Sequence, residues 1–99
     1  MPNTKMTPKI IITIPAYNEE NTLPMVLEEI KAVMQPIHYK YEILVVDDGS
    51  KDRTSEIAEK HGAIVVREKH RGLAETFKSE MKECLQRKAT IIVHTDADG

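Results

Sequence analysis

The chain has 99 residues, which is enough for one domain with a single hydrophobic core. Hydrophobic residues make up 40% of the sequence and charged residues 30%, as in ordinary globular proteins, and the formal net charge is -2. This charge excludes a general binder of nucleic-acid backbones, and the lack of Trp leaves little surface for stacking single-stranded bases. The one cysteine, Cys84, excludes an intramolecular disulfide and favours the reducing cytoplasm.

The first third of the chain predicts a strand followed by a helix. Residues 1–8 form a polar leader without the long apolar run of a signal peptide. Residues 9–14 are apolar and β-branched and predict a buried strand that ends at Pro15. From residue 21 or 22 to residue 34, apolar side chains recur at three- and four-residue steps, which predicts an amphipathic helix.

The middle of the chain predicts two more strands around a short helix. Residues 41–47 have a continuous apolar centre, which is typical of a strand covered on both faces. Residues 52–61 predict a helix that Asp52 caps and Gly62 follows. Residues 63–67 predict the third strand.

The last third predicts a helix and a fourth strand. The helix begins at residue 72 or 73 and ends at residue 87, and we expect Cys84 to be buried on it. Four apolar residues share one face of this helix at four-residue spacing: Leu73, Phe77, Met81 and Leu85. Residues 90–94 predict the fourth strand.

This alternation predicts an α/β, Rossmann-like fold of order βαβαβαβ, a three-layer sandwich around a mainly parallel sheet with right-handed crossovers. Ligands of such sheets bind beyond the carboxyl ends of the strands. Polar segments occupy three of these ends, at residues 15–20, 47–50 and 96–99. We therefore expect one binding site along this edge of the sheet.

The segment Asp96-Ala97-Asp98 follows what we expect to be a central apolar strand. Its two carboxylates face the same side if the chain stays extended. Magnesium is commonly held by one or two carboxylates together with substrate phosphates, so this pair could hold a metal that bridges a diphosphate. Taken alone, the tripeptide is also typical of solvated turn or capping residues.

The other two polar segments have both structural and functional interpretations. In Asp47-Asp48-Gly49-Ser50, one aspartate can accept hydrogen bonds from a base or ribose while the other braces the turn, and a plain Asx-turn also accounts for it. In residues 15–20, Tyr17 offers a ring to a flat base. Asn18 and Glu19 of the same segment, with Asn21 beyond it, can cap the next helix.

Together, three motifs resemble family-two glycosyltransferases with the GT-A fold, and most of all the dolichyl- or polyprenyl-phosphate mannose or glucose synthases. The motifs are Ile-Pro-Ala-Tyr-Asn-Glu-Glu, Val-Val-Asp-Asp-Gly-Ser-Lys-Asp-Arg-Thr and Asp-Ala-Asp-Gly, in order and with ordinary spacing over residues 9–99. The resemblance implies that residues 9–99 are the nucleotide-sugar-binding part of such an enzyme.

The resemblance also implies a role for each matching residue. Contacts to the nucleotide sugar would come from Pro15, Ala16, Tyr17, Glu19, Asp47, Arg71, Gly72 and Asp96. Asp47 would contact the base and Asp48 would brace the loop. Asp96 and Asp98 would bind a divalent cation, Mg²⁺ or Mn²⁺, which neutralises charge on the leaving nucleoside diphosphate.

In such enzymes a separate carboxylate deprotonates the acceptor, and transfer inverts the anomeric centre. That base is expected beyond Gly99, so no catalytic residue is assigned here, and we expect this chain to bind a GDP- or UDP-sugar without transferring it. The implied acceptor is a polyprenyl or dolichyl phosphate at the cytoplasmic face of a membrane. A sheet that stops at its fourth strand also leaves an unpaired edge, through which we expect two copies to associate.

The chain departs from the family pattern in three places. Many relatives carry Asn before the third helix, where this chain has Lys69-His70-Arg71-Gly72, and His70, adjacent to the implied diphosphate site, could donate to phosphate. Many carry Gly in the third helix where this chain has Glu80, which we expect to be exposed. Residues that often complete the metal site after Asp-Ala-Asp are missing. His94, within the last strand, is predicted to be a hydrogen-bonded structural residue.

Other protein classes fit less of the sequence. A receiver domain needs a phosphoacceptor aspartate after its third strand, where this chain has Arg67-Glu68. A nucleotidyltransferase would carry a glycine-rich phosphate loop near the first strand. A haloacid-type phosphatase that begins at Asp-Ala-Asp-Gly leaves the two earlier motifs unexplained. A non-catalytic nucleotide-binding module remains compatible with all of them.

Overall fold

The computed structural model describes residues 8–97, and this range contains four strands and three helices. Their order is β1 (Lys9–Ala16), α1 (Leu23–Met34), β2 (Lys40–Asp47), α2 (Thr54–Lys60), β3 (Ile64–Arg67), α3 (Leu73–Gln86) and β4 (Ile91–His94). The predicted order and type of all seven elements are confirmed, and their bounds lie within two residues of those expected. Pro15 does not end β1, because the strand continues beside Val46 through Ala16.

The four strands form one sheet in which every pair is parallel, in the order β3-β2-β1-β4. Ile12 of β1 lies beside Ile43 of β2 on one side and Val93 of β4 on the other. Parallel strands require crossovers over the faces of the sheet, and here the crossovers are the three helices. The predicted α/β, Rossmann-like architecture is confirmed.

The sheet has a different helix layer on each face, because successive side chains of β1 point to opposite sides. Ile14 packs in one cluster with Leu23 and Leu27 of α1 and Ala58 of α2. Ile11, three positions earlier, packs on the other face with Cys84 of α3. Cys84 is fully buried, as predicted, and burial raises the pKa of its thiol, so it acts as a small apolar side chain.

The apolar face of α3 is not the face that packs against the sheet. Leu73, Phe77 and Leu85 are 66%, 46% and 75% exposed. The residues that are buried form the neighbouring stripe, Thr76, Glu80 and Cys84. A helical period produces both stripes equally well, and contacts at the start of the helix decide between them. There the Gly72 amide donates to Asp48 at 3.0 Å, and the Thr76 hydroxyl donates to the Gly72 carbonyl at 2.6 Å.

β4 lies at the edge of the described sheet, so the expectation of a central strand is wrong. It pairs with β1 on one side, and its apolar residues Ile91, Ile92 and Val93 are 37–45% exposed. Both faces of this strand are therefore only partly covered by residues 8–97. Within that same range, no helix has the length and apolar character needed to cross a membrane.

Candidate functional site

A cavity of about 320 Å³ opens beyond the carboxyl ends of β1 and β4. The chain builds outward from β1 to β2 and β3 and then returns to place β4 on the other side of β1. Ligands of open α/β sheets bind at such a reversal of strand order, since loops diverge there and leave a crevice. The cavity is lined by Pro15, Ala16, Tyr17, Glu19, Asp48, His70, Gly72, Leu73, Thr76, Asp96 and Ala97.

The loop after β1 is fastened to the loop after β2. The Asn18 amide donates to the Ser50 hydroxyl at 2.8 Å, and the Lys51 amide donates back to the Asn18 side chain at 2.8 Å. The Glu19 amide donates to the Thr54 hydroxyl at 2.9 Å. The two sequence motifs thus form one hydrogen-bonded unit.

Those contacts replace the helix caps expected of Asn18 and Glu19. Helix α1 begins at Leu23 without a side-chain cap, and the Glu19 carbonyl accepts from the Leu23 amide. The predicted start of α2 is two residues early, because the helix begins at Thr54 after Arg53, but the Asp52 carboxylate still accepts from the first amide of the helix.

Asp52 also braces the joined loops. Its carboxylate accepts from the Thr54 amide at 3.0 Å and from the Glu20 amide at 3.2 Å. Burial acts to raise the pKa of Asp52, but hydrogen bonds from Thr54 and Glu20 outweigh it and lower the pKa below 3.8. The charged form of Asp52 is therefore the one that holds the loops together.

Asp47 lies beneath the cavity rather than on its wall. Its side chain is fully buried, its Oδ1 atom accepts from the Ser50 amide at 2.8 Å, and its Oδ2 atom accepts from the Ser55 hydroxyl. Arg67 approaches the same carboxylate at 3.7 Å. Both oxygens of Asp47 already hold the turn, and its predicted contact with a base stays a prediction.

Asp48 is the aspartate that reaches the cavity. Its Oδ1 atom accepts from the Arg71 amide at 2.8 Å, and its Oδ2 atom accepts from the Gly72 amide at 3.0 Å. Asp48 therefore holds the segment after β3 against the site. Gly72 lines the cavity as predicted, whereas the Arg71 side chain does not.

Gly49 allows these two loops to approach closely. Its φ of +81° is a conformation that L side chains rarely adopt, and an added Cβ would lie 2.7 Å from the His70 amide nitrogen. The glycine of the Asp-Asp-Gly-Ser motif is therefore required both by its backbone angle and by the packing of the His70 loop.

His70 closes one wall of the cavity. Its ring is stacked on Tyr17 with centroids 4.1 Å apart, and its Nδ1 atom lies 2.9 Å from Asp48 Oδ2. The ring is thus held both by stacking and by a carboxylate, with more than half of its side chain exposed. An imidazole anchored through Nδ1 presents Nε2 to a ligand.

Asp96 and Ala97, just after the end of β4, also line the cavity. Asp96 is exposed, while Ala97 is buried against the α1 side of the core. The Thr22 hydroxyl lies 2.8 Å from the Ala97 carbonyl and 2.9 Å from the Glu19 carboxylate. One hydroxyl thereby links the loops after β1 and β4.

Residues 11–99 match a family model described as glycosyl transferase family 2. The chain belongs to glycosyl transferase family 2. The match includes all three strand-end motifs, so the haloacid-type phosphatase alternative, which left two of them unexplained, is not supported.

Individual relatives of this family 2 chain agree with that assignment. An uncharacterized protein of Methanocaldococcus jannaschii is 44% identical over 92 residues, 92% of this chain and 36% of the relative. The dolichyl-phosphate β-glucosyltransferase of Trichomonas vaginalis is 36% identical over 95 residues, 87% of this chain and 29% of the relative. The chain spans about a third of the length of the curated relatives it matches.

A solved structure agrees with the α/β, GT-A-type fold of this family 2 chain. Glucosyl-3-phosphoglycerate synthase from Mycobacterium tuberculosis, in complex with Mn²⁺, UDP and glucosyl-3-phosphoglycerate, superposes with a TM-score of 0.71 at 26% identity. The superposition covers 91% of this chain and 33% of the synthase.

One of the two residues predicted to bind a divalent cation, Asp96, lies within the described part of this family 2 chain. Asp96 offers carboxylate oxygens beside a cavity with room for substrate phosphates, which suits a hard cation. Within residues 8–97, no cluster of three or more His, Cys, Asp or Glu side chains could hold a metal. Asp98, the second predicted ligand, lies outside the described residues. The donor set fits a cation that takes other ligands from a bound diphosphate.

Six of the eight residues predicted to contact a nucleotide sugar line the one cavity: Pro15, Ala16, Tyr17, Glu19, Gly72 and Asp96. Sequence reasoning missed Leu73 and Thr76 on the cavity wall and the link made by Thr22. Thr76 carried no signal of its own, since its place at the cavity depends on how α3 is rotated. The resemblance implies that Asp48 braces the loop, and the structure shows that Asp48 also lines the cavity.

Proposed function

We propose that this family 2 chain binds a nucleoside diphosphate sugar, GDP- or UDP-linked, and is the donor-binding part of a glycosyltransferase. The observation that carries the proposal is the cavity in which the ends of β1 and β4 meet the loops after β2 and β3. It combines an aromatic wall, backbone groups held by Asp48 and a carboxylate at Asp96. These are the features needed by a flat base, a diphosphate and a cation.

The aromatic wall supports a binding site for the base. Tyr17 and His70 form a stacked pair at the cavity, and a planar base gains free energy from contact with such rings. Asp48 lines the cavity, so we propose it, in addition to Asp47, as an acceptor for polar groups of the base or ribose. A uridine base agrees with the UDP bound by the mycobacterial synthase.

The diphosphate of the donor is proposed to lie between His70 and Asp96. The His70 ring, held by Asp48, presents a donor to phosphate oxygens. Asp96, with Asp98, would hold Mg²⁺ or Mn²⁺, and the cation supplies neutralisation of the leaving diphosphate's charge. Mn²⁺ in the complex of the mycobacterial synthase supports this choice of metal.

The proposed acceptor is a polyprenyl or dolichyl phosphate at the cytoplasmic face of a membrane. The relative from Trichomonas vaginalis is named for a dolichyl-phosphate acceptor, and this supports the class. A small phosphorylated acceptor is the second candidate, because the product bound to the mycobacterial synthase is glucosyl-3-phosphoglycerate. Both candidate acceptors carry a phosphate group.

Transfer by these 99 residues alone is not part of the proposal. The chain spans about a third of the length of its curated relatives, and none of its residues is proposed as the acceptor base of an inverting transferase. Multiple turnovers of sugar transfer to a polyprenyl phosphate by the 99-residue chain would contradict this. Donor binding without any role in transfer, as in a non-catalytic module, remains the alternative.

Calorimetry of the 99-residue chain tests the donor site. We expect UDP-glucose or GDP-mannose to bind with micromolar to millimolar affinity in the presence of Mn²⁺ and more weakly without it. Lys60→Ala, on the exposed face of α2, is the control that should leave binding unchanged. Failure of both nucleotide sugars to bind would overturn the proposal.

Association of two copies through the sheet edge is a separate proposal. In the described part of the chain β4 has one unpaired edge and carries the exposed residues Ile91, Ile92 and Val93, and unpaired edge strands favour pairing with another chain. Sedimentation velocity should give a dimer at high concentration, and Ile92→Lys should return the protein to a monomer. A wild-type monomer at every concentration would contradict the proposal.

A further inference from the structure

A buried carboxylate lies beneath the end of β4. Glu80 of α3 is fully buried, and the Nδ1 atom of His94 lies 2.9 Å from its Oε1 atom. That same Nδ1 atom lies 3.2 Å from the hydroxyl of Thr13, which neighbours His94 across the β1–β4 pair. Glu80, Thr13 and His94 therefore form a polar cluster between α3 and the sheet. The expectation that Glu80 would be exposed is wrong.

The cluster is costly for the fold. Within residues 8–97, neither carboxylate oxygen of Glu80 accepts a hydrogen bond of ordinary geometry. Burial raises the pKa of Glu80, while the nearby His94 and Thr13 act to lower it. A buried carboxylate without full compensation destabilises a folded protein. An apolar residue at this place would pack without that cost, so stability does not explain the glutamate.

The position of β4 in the sheet does explain why a glutamate lies here. Among residues 8–97 this strand pairs with β1 alone, and its apolar residues are partly exposed, so packing holds it weakly. Its contacts with α3 converge on His94, through Glu80 on one side and an edge-to-face contact with Phe77, centroids 5.8 Å apart, on the other.

Asp96 lies between two anchored neighbours. On the α3 side, the anchor is His94, two residues earlier. On the α1 side, the anchor is Ala97, whose methyl is buried and whose carbonyl lies 2.8 Å from the Thr22 hydroxyl. The placement of the exposed Asp96 carboxylate in the cavity therefore depends on both neighbours.

We propose that Glu80 is a positioning residue: its carboxylate orients the His94 ring and so fixes the end of β4 from which Asp96 enters the donor cavity. The effect of Glu80 on donor binding rests on the proposed donor site, whereas its effect on the end of β4 does not. Glu80 itself does not line the cavity, so it acts on a ligand through the strand.

Amide hydrogen exchange of the ligand-free chain tests the structural content. The Thr95 amide donates to the Thr13 carbonyl at 2.9 Å and reports on the end of β4, while amides of the buried β2 residues serve as an internal reference. In Glu80→Ala we expect the Thr95 amide to exchange about tenfold faster relative to β2, because local opening of the edge strand becomes easier. Glu80→Gln keeps groups that can meet His94 and should restore most of the protection.

Cys84→Ala is the matched control, since Cys84 is buried on the same face of α3 but packs against Ile11 and Leu44. It should change exchange of Thr95 and of β2 in parallel. The same change in Thr95 exchange relative to β2 in Glu80→Ala and in Cys84→Ala would overturn the proposal. If Glu80→Ala does not fold, His94→Leu removes the same contact from the partly exposed side, and unchanged Thr95 protection there would overturn it equally.

Calorimetry with UDP-glucose and Mn²⁺ separates this inference from the proposed function. Donor affinity should fall about tenfold in Glu80→Ala and stay near the wild-type value in Glu80→Gln and Cys84→Ala. Unchanged donor affinity in Glu80→Ala would overturn the positioning role. A wild-type chain that binds no donor would refute the proposed function, and the exchange comparison alone would then decide the role of Glu80.

Discussion

The ring of His70 lies on the ring of Tyr17, with centroids 4.1 Å apart and planes inclined by 27°. One residue comes from the loop after β1 and the other from the loop after β3, with the Asp48 carboxylate 2.9 Å from His70 Nδ1. This contact joins three strand ends at one wall of the cavity. In this position His70 could contact a ligand in two ways, through its ring face or through its ring nitrogen.

Substitution of His70 separates those two actions. His70→Phe keeps a ring over Tyr17 and removes the nitrogen that we assign to phosphate, whereas His70→Ala removes both. Loss of a hydrogen bond to a charged group should weaken donor binding about tenfold or more in both variants. Calorimetry with UDP-glucose measures this, and wild-type affinity in His70→Phe would show that only the ring matters.

Asp47 and Asp48 should respond differently to replacement. Asp47→Ala leaves the Ser50 amide and the Ser55 hydroxyl without their buried acceptor, which should lower the free energy of unfolding by about 3 kcal/mol. Donor affinity of the folded molecules should fall less than it does in Asp48→Ala. Asp48→Ala should weaken donor binding about tenfold, since it frees the Arg71–Gly72 backbone and His70.

Urea denaturation and calorimetry on the two variants are the measurements. A large loss of donor affinity in Asp47→Ala at unchanged stability would instead support the contact with the base that the sequence predicted for Asp47.

The two glycines at φ near +80° provide a matched pair. Gly49→Ala places a Cβ 2.7 Å from the His70 amide nitrogen, while Gly62→Ala, at φ +84°, meets nothing within 4 Å. We expect losses in the free energy of unfolding of about 3 kcal/mol and about 1 kcal/mol respectively. Urea denaturation measures both, and equal losses would mean that the close approach of the His70 loop is not tightly packed.

Replacement of the acidic residues after β4 should abolish the effect of the metal. Asp96→Asn and Asp98→Ala are expected to bind UDP-glucose equally with and without Mn²⁺, at the affinity the wild type has without metal. Calorimetric titrations at matched ionic strength are the check. A wild-type response to Mn²⁺ in both variants would rule out these two residues as ligands.

Glu80 should make stability depend on pH. Its pKa in the folded chain is raised above the ordinary 4.5, so protonation of Glu80 favours the folded state. That contribution to stability is complete below pH 4.5 and is lost as the pH rises through the raised pKa of Glu80. Glu80→Gln lacks this titration. The stability of wild type relative to Glu80→Gln, measured by urea denaturation, should therefore decrease as the pH rises above 4.5. A constant difference would contradict the raised pKa.

Local sequence determined the elements and the place of the site. Apolar periodicity identified all seven helices and strands, since period and strand length depend on neighbouring residues alone. The polar strand ends at residues 15–20, 47–50 and 96–99 pointed to one edge of a parallel sheet, and the structure brings the described parts of those ends together. Cys84 was correctly expected to be buried.

Tertiary contacts decided between alternatives that the sequence pattern does not distinguish, such as which face of a helix packs against the sheet. The α3 sequence carries an apolar stripe through Leu73 and Phe77, yet the stripe through Thr76 and Glu80 faces the sheet, because Gly72 is bound to Asp48 and sets the rotation of the helix. The sequence of two adjacent aspartates likewise does not tell which one turns inward. Asp47 does so because Ser50 and Ser55 converge on it, and Asp48 is left to face the cavity.

The sequence by itself therefore determined that this is a family 2 chain with a polar site at the carboxyl edge of a parallel sheet. Only the tertiary structure decided that β4 is an edge strand, that Tyr17 and His70 stack, and that Glu80 is buried against His94. The physical reason is that strand order, helix rotation and the pairing of polar side chains depend on residues far apart in sequence, whose combined contacts no local pattern contains.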